Sequence, residues 1–119
     1  MWDGFEGRRF PRVKSKCQLF IQSVEGKSPI SALTENIGLG GVCVILKEPL
    51  GKLSRIRLSL ELEDAVAPID CEARIVWCVE SREWGSDTRS YDTGIEFLNL
   101  SDQDRKRVEC LIRGKVGTK

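Results

Sequence analysis

Residues 55–62 alternate strictly between polar and apolar side chains. The apolar members of this alternation are Ile56, Leu58, Leu60 and Leu62. Because successive side chains of a strand point to opposite faces, a period of two predicts a strand with one buried and one solvated face. Such a strand is typical of an antiparallel sheet, in which its neighbours bury the same face. The chain is therefore expected to build its core from a sheet.

Five further segments carry strand signals. They are residues 17–23, 30–36, 42–46, 69–79 and 94–98. A turn at 25–28 predicts that the first two form a hairpin, and the glycine-rich stretch 38–41 precedes the third. The stretch 80–93 is polar and rich in turn residues, which indicates a long hairpin connection rather than an element of its own.

The C-terminal segment has the pattern of a short helix. Ser101 is a suitable N-cap, and Asp102 and Asp104 stand in the first turn, where the helix dipole favours acids. A narrow apolar stripe and two terminating glycines follow: Val108, Leu111, Ile112, Gly114 and Gly117. Five or six antiparallel strands followed by one amphipathic helix predict a mainly β fold, a small β-barrel or rolled sheet that the helix plugs or caps.

Length and charge limit the classes of function. A chain of 119 residues suits one domain, and its 19 basic and 18 acidic side chains nearly balance. This balance argues against a protein that binds a nucleic-acid polymer, because such proteins are usually basic along a whole face. The N-terminal residues have no apolar signal-peptide core, and no apolar run is long enough to span a bilayer. We expect a cytoplasmic protein that does not insert into membranes.

The cysteines do not form a metal-binding pattern. The chain has five of them, Cys17, Cys43, Cys71, Cys78 and Cys110, without a Cys-x-x-Cys motif or any histidine. We therefore expect no metal site, and we interpret the cysteines as buried, reduced core residues, with a reactive thiol as the alternative. Without histidine, a nucleophile motif or a distinctive pair of carboxylates, the chain is not expected to be an enzyme or to need a cofactor.

A cluster of cations marks the N-terminal segment. Residues 7–16 carry five cations and no acid, in a chain whose formal net charge is only +1. Arg8 and Arg12 have the spacing Arg-x-x-x-Arg, and guanidinium groups bind phosphate through two parallel hydrogen bonds. This pattern suggests a phosphorylated ligand. The competing interpretation is a solvated basic arm that serves only solubility.

Four segments in fixed order resemble the PilZ domain, the bacterial receptor domain for cyclic di-GMP. They are RRFPRV at 8–13, NIGLGG at 36–41, ARIVW at 73–77 and GIEF at 94–97. The acidic start of the C-terminal helix extends the similarity over nearly the whole chain. The resemblance implies a six-stranded antiparallel β-barrel with a C-terminal α-helix.

The resemblance also implies a set of ligand-binding residues. The family pattern is Arg-x-x-x-Arg in a flexible N-terminal segment and Asp/Asn-x-Ser-x-x-Gly on the barrel surface. By this pattern, Arg8 and Arg12 hold the phosphates and guanine faces of cyclic di-GMP, and Arg9 adds a further phosphate or stacking contact. Asn36 hydrogen-bonds a guanine edge, and Gly41 permits close approach of the backbone.

Two candidate positions need separate comment. Gly38 stands where the family usually has serine, so one hydroxyl donor is missing. A neutral hydrogen bond is worth about 0.5 to 1.5 kcal/mol, so we predict weakened or retained binding rather than its loss. Trp77 falls on the inward face of its strand by the alternation, which favours core packing, with purine stacking at the barrel rim as a secondary role.

The function implied is a receptor or adaptor. Residues 1–14 are expected to form a flexible basic arm that closes over the dinucleotide and alters contact with a partner. Residues 15–113 are expected to form the barrel with its helix, and residues 114–119 a tail. The partner is either another protein or a second copy of the chain. The main alternative is a degenerate PilZ-like interaction module that binds no nucleotide. A small barrel for single-stranded nucleic acid ranks last, because only 7% of residues are aromatic.

Overall fold

A computed structural model of the chain describes residues 12–22, 29–64, 66–82 and 89–116. These residues contain seven strands and one helix. The strands are β1 Arg12–Lys14, β2 Gln18–Gln22, β3 Ile30–Gly38, β4 Gly41–Leu46, β5 Arg55–Glu61, β6 Ile69–Arg82 and β7 Arg89–Phe97, and the helix is α1 Asp102–Val116. The last three residues of the predicted arm thus form β1, and α1 continues three residues into the predicted tail.

The strands form a closed antiparallel barrel. Neighbouring strands follow the order β3-β2-β5-β6-β7-β4, and β4 pairs with β3 to close the ring. β1 is an additional strand that pairs with the C-terminal end of β3. The prediction of a six-stranded antiparallel barrel with a C-terminal helix is confirmed.

The long strand β3 has two partners on the same edge. Its first residues pair with β2 and its last residues pair with β1. Residues 15–17 between the two partners belong to no strand, but the Ser15 amide still donates to the Glu35 carbonyl and the Thr34 amide to the Cys17 carbonyl. The Thr34 side chain adds to these backbone hydrogen bonds. The buried Thr34 hydroxyl donates to the Ser15 carbonyl at 2.6 Å and accepts from the Cys17 amide at 2.8 Å. These hydrogen bonds of Thr34 help to hold β1, and with it Arg12, against β3.

Alternating apolar residues of the strands fill the barrel. The predicted inward residues of β5, Ile56, Leu58 and Leu60, are all buried. Val108 and Ile112 of α1 join the same core, and the Ser101 hydroxyl accepts from the Asp104 amide at 3.1 Å, as predicted for an N-cap. No helix within the described residues is both long enough and apolar enough to cross a bilayer.

The predicted connection at 80–93 is too long. β6 continues to Arg82 and β7 begins at Arg89, and residues on both sides of the predicted connection pair with each other, such as Glu80 with Tyr91. This end of the hairpin is largely exposed on both faces, so it lacks the alternation that would have identified it as a strand. The segment 83–88 lies outside the described residues.

The cysteines divide into buried and accessible ones. Cys17 and Cys71 are buried in the core as expected, whereas Cys43 is buried but lies outside the core cluster. Burial raises the pKa of the Cys71 thiol to about 11. Cys78 is only partly buried and Cys110 is exposed on α1, so the expectation of burial is wrong for these two. Cys110 lies on the solvent side of the helix because the buried stripe is formed by Val108 and Ile112.

Candidate ligand-binding site

Arg12 and the glycine-rich motif meet through strand pairing. Arg12 of β1 lies directly opposite Gly38 of β3. Their neighbours Val13 and Ile37 are buried in the core, so Arg12 and Gly38 lie on the outer face of the barrel. Two motifs separated by more than twenty residues in sequence are therefore adjacent in space.

Gly41 continues the same outer face on β4 and contributes only backbone atoms to it. It pairs with Glu96 of β7, and a Cβ at position 41 would overlap the carbonyl oxygen of Ile95. Packing of β4 against β7 therefore requires glycine here, whatever the ligand. Gly38 and Gly41 flank the turn between β3 and β4 and contribute no side chains to the outer face, and we call this pair the glycine floor.

Asn36 lies in the next row of the outer face. It is opposite Lys14 on one side and Cys43 on the other. Its side-chain oxygen Oδ1 is buried and accepts no hydrogen bond from the described part of the chain. A buried acceptor of this kind is normally satisfied, so this oxygen is open to a donor that does not belong to the described residues.

Trp77 lies on the outer face, and the predicted inward orientation is wrong. The register of β6 against β7 shifts between Ile75, which pairs with Ile95, and Trp77, which pairs with Gly94. One extra residue in a strand, a β-bulge, moves the following side chains to the opposite face. Trp77 is only partly buried, and its ring occupies the space beside Gly94.

The row that contains Asn36 also contains Trp77. Across the strands it runs from Lys14 through Asn36, Cys43 and Gly94 to Trp77. The Cys43 thiol, between Asn36 and Gly94, donates to Oδ1 of Asp92 at 3.1 Å. The outer face thus combines a large aromatic ring with an amide oxygen that has no hydrogen-bond partner among the described residues.

An ion pair completes the row that contains Arg12. Glu96 lies between Gly41 on β4 and Arg74 on β6. The Arg74 Nη2 atom donates to Glu96 Oε1 at 2.6 Å, and the two side chains are 40% and 30% exposed. Sequence reasoning missed both residues, although each stands at a polar position inside a segment that had been identified as a strand.

The structure brings five of the seven predicted site residues onto one face. They are Arg12, Asn36, Gly38, Gly41 and Trp77. The other two, Arg8 and Arg9, lie outside the described residues. Chemically, this face offers a guanidinium group, an amide, an aromatic ring and a carboxylate around a floor of glycines. Such a set can bind a ligand that has both phosphates and purine bases.

Solved structures with the same fold include three informative neighbours. The PilZ domain of Escherichia coli YcgR with c-di-GMP matches with a TM-score of 0.73 at 14% identity, covering 92% of both chains. The Bacillus subtilis inhibitor of motility MotI/DgrA matches at 0.71 with 21% identity, covering 94% of this chain and 52% of its own. The MrkH–c-di-GMP complex of K. pneumoniae matches at 0.74 with 15% identity, covering 92% and 51%.

The chain spans about half the length of the MotI/DgrA and MrkH chains. TM-scores of 0.71 to 0.74 establish a shared fold, and at identities of 14% to 21% the likeness shows the fold alone. A search of the curated proteins found no sequence relative.

The profile of the PilZ domain matches residues 6–114. Because this match covers most of the 119 residues, the chain belongs to the PilZ domain family.

Proposed function

We propose that the chain is a cyclic di-GMP receptor that acts as an adaptor. The observation that carries this proposal is the adjacency of Arg12 and the glycine floor on the outer face, since Arg12 pairs directly with Gly38. Support also comes from YcgR and MrkH, two PilZ-fold proteins whose structures contain c-di-GMP. The ligand carries two phosphates and two guanines, which suit the cation, amide and aromatic ring of this face.

Each residue has a role that follows from its chemistry. The Arg12 guanidinium binds phosphate, and Arg8 and Arg9 add further cations from the N-terminal arm. The unsatisfied Oδ1 of Asn36 accepts a hydrogen bond from a guanine N–H group. Trp77 stacks on a purine face, which its outward orientation allows.

The glycines set how closely the ligand approaches. Gly41 has no side chain to stand between a ligand and the backbone, although the close contact at its Cβ position is with the Ile95 carbonyl of β7 and not with the ligand. Gly38 lacks the hydroxyl of the usual serine, and this loss weakens binding by about 0.5 to 1.5 kcal/mol. Contacts from the arginines, at about 1.5 to 3 kcal/mol each, outweigh this loss. Binding is therefore retained.

The output is a change in the surface offered to a partner. The arm, residues 1–14, closes over the ligand, and β1 within it remains paired to β3. The ligand and the closed arm then form part of a new surface on the outer face. The partner is another protein or a second copy of the chain.

Isothermal titration of the purified protein with cyclic di-GMP tests the proposal, with GTP and cyclic AMP as controls. We expect saturable binding of cyclic di-GMP and no binding of either control. Absence of heat at high micromolar ligand, together with unchanged protein spectra, would overturn the receptor function.

A further inference from the structure

An acidic residue stands beside the proposed phosphate-binding surface. Glu96 lies opposite Gly41, and Arg12 lies opposite Gly38, so the two charges flank the glycine floor. Three strand spacings, about 14 Å, separate β1 from β7. A carboxylate and a phosphate repel each other because both are negatively charged, so Glu96 does not serve to bind phosphate.

Among the described residues, a hydrogen-bond donor contacts one oxygen of the Glu96 carboxylate. Arg74 donates to Oε1 at 2.6 Å, while Oε2 accepts no hydrogen bond from any described residue. The ion pair orients the side chain and neutralises much of its charge, which reduces repulsion of a bound phosphate. One acceptor oxygen is left, on a side chain that is 30% exposed.

Glu96 is also a neighbour of the aromatic ring. Trp77 pairs with Gly94, and Glu96 is two residues farther along β7 on the same face. Diagonal neighbours of this kind are about 7 to 8 Å apart, within reach of long and aromatic side chains. A purine stacked on Trp77 would therefore present its edge to Glu96.

Base chemistry then distinguishes guanine from adenine. The Watson–Crick edge of guanine presents two adjacent donors, N1–H and N2–H, whereas that of adenine presents a single donor, N6–H, beside an acceptor at N1. An ionised carboxylate only accepts hydrogen bonds, so it pairs with guanine and not with the adenine N1. We infer that Glu96, oriented by Arg74, is a specificity-determining residue that reads the donor edge of the base stacked on Trp77.

This inference rests on the proposed function and is tested with Glu96→Gln. The change keeps the shape and an acceptor for Arg74 but removes the charge. The matched control is Glu61→Gln, an exposed acid of β5 that pairs with β2, away from the site. Titrations with cyclic di-GMP, cyclic di-IMP, which lacks the 2-amino group, and cyclic di-AMP supply the readout.

The expected result is a selective loss. Glu96→Gln should weaken cyclic di-GMP binding about tenfold, the effect of one charge-assisted hydrogen bond. The Glu96→Gln variant should prefer cyclic di-GMP over cyclic di-IMP and cyclic di-AMP less strongly than the unmodified protein does. Glu61→Gln should leave all three affinities unchanged. Thermal unfolding of both variants separates this effect from loss of the fold.

Two outcomes would overturn the inference while leaving the receptor function intact. If Glu96→Gln raises the affinity for all three ligands, the effect of Glu96 is only to repel phosphate. If the ligand preference is unchanged, Glu96 only pairs with Arg74. Failure of the unmodified protein to bind any cyclic dinucleotide would instead overturn the proposed function, and the inference with it.

Discussion

The indole ring of Trp77 occupies the space that a side chain at Gly94 would need. A Cβ at position 94 would overlap the ring carbons Cε3, Cζ3 and Cδ2. The two residues pair directly across β6 and β7, so the ring rests on the glycine backbone. Gly94 therefore fixes where the aromatic surface of the proposed site lies.

Gly94→Ala should displace Trp77. The overlapping atoms belong to a side chain that can rotate, so we expect a moderate loss of stability, about 1 to 3 kcal/mol. Ligand affinity should also fall, because the stacking surface moves. Urea unfolding and titration with cyclic di-GMP measure the two effects, and unchanged affinity would contradict a ligand-stacking role for Trp77.

Gly41→Ala should destabilise the barrel more than Gly94→Ala does. Here the added methyl group meets the Ile95 carbonyl, a backbone atom that moves only if β4 and β7 separate. We expect a loss in the free energy of unfolding of about 3 kcal/mol or more. Urea unfolding of each variant gives the comparison.

Gly114→Ala is the control for this pair. Gly114 lies in α1, and a Cβ there meets no atom of the described residues within 4 Å beyond its chain neighbours and the backbone of its own helix. Alanine should therefore stabilise the protein by up to about 1 kcal/mol, because it favours the helix. If Gly41→Ala were as harmless as Gly114→Ala, the close packing of β4 on β7 would be contradicted.

Much of the fold followed from the sequence because its signal is local. The alternation of Ile56, Leu58 and Leu60 and the N-cap at Ser101 each depend on a few neighbouring residues, and both were confirmed. The orientation of Trp77 was wrong because the bulge after Ile75 depends on how β7 pairs with β6. An alternation pattern does not reveal a register shift of this kind.

The same reason explains what was missed in the candidate site. Arg74 and Glu96 are 22 residues apart, and only the pairing of β6 with β7 brings them together. Arg12 was predicted as a ligand-binding residue from its spacing to Arg8, and Asn36 from the resemblance to the PilZ motifs. The pairing of Arg12 with Gly38 and of Lys14 with Asn36, which brings the two motifs together, became apparent only in the three-dimensional structure.

Gly38→Ser restores the hydroxyl that the family pattern usually supplies. Because Gly38 is on the outer face opposite Arg12, a serine there would add one hydrogen bond to the ligand. We expect the affinity for cyclic di-GMP to be preserved or to increase by up to about tenfold. Titration of Gly38→Ser and Gly38→Ala together isolates the hydroxyl, and equal loss in both would contradict this role.

Asp64 should link stability to pH. The Arg107 guanidinium donates two hydrogen bonds to the carboxylate, at 2.9 and 3.1 Å, and lowers the pKa of Asp64 in the folded protein. Because the pKa is lower in the folded than in the unfolded chain, the ionised carboxylate stabilises the fold at pH values above the ordinary pKa of 3.8. This stabilisation disappears as the pH falls through the folded-state pKa.

Asp64→Asn tests this linkage. The variant should be less stable than the unmodified protein at pH 7, and the difference in the free energy of unfolding should shrink as the pH falls below about 4. Urea unfolding at several pH values measures the difference. A difference that stays constant across this range would show that the ion pair with Arg107 is not its source.

Titration of Arg12→Ala with cyclic di-GMP tests the central claim most directly, with Arg57→Ala as the matched control. Arg57 is an exposed cation of β5 that pairs with β2 and β6, so its loss changes the net charge equally without touching the site. We expect Arg12→Ala to lose nearly all binding, at least about tenfold in affinity, and Arg57→Ala to bind normally. Equal affinity of the two variants would contradict the account.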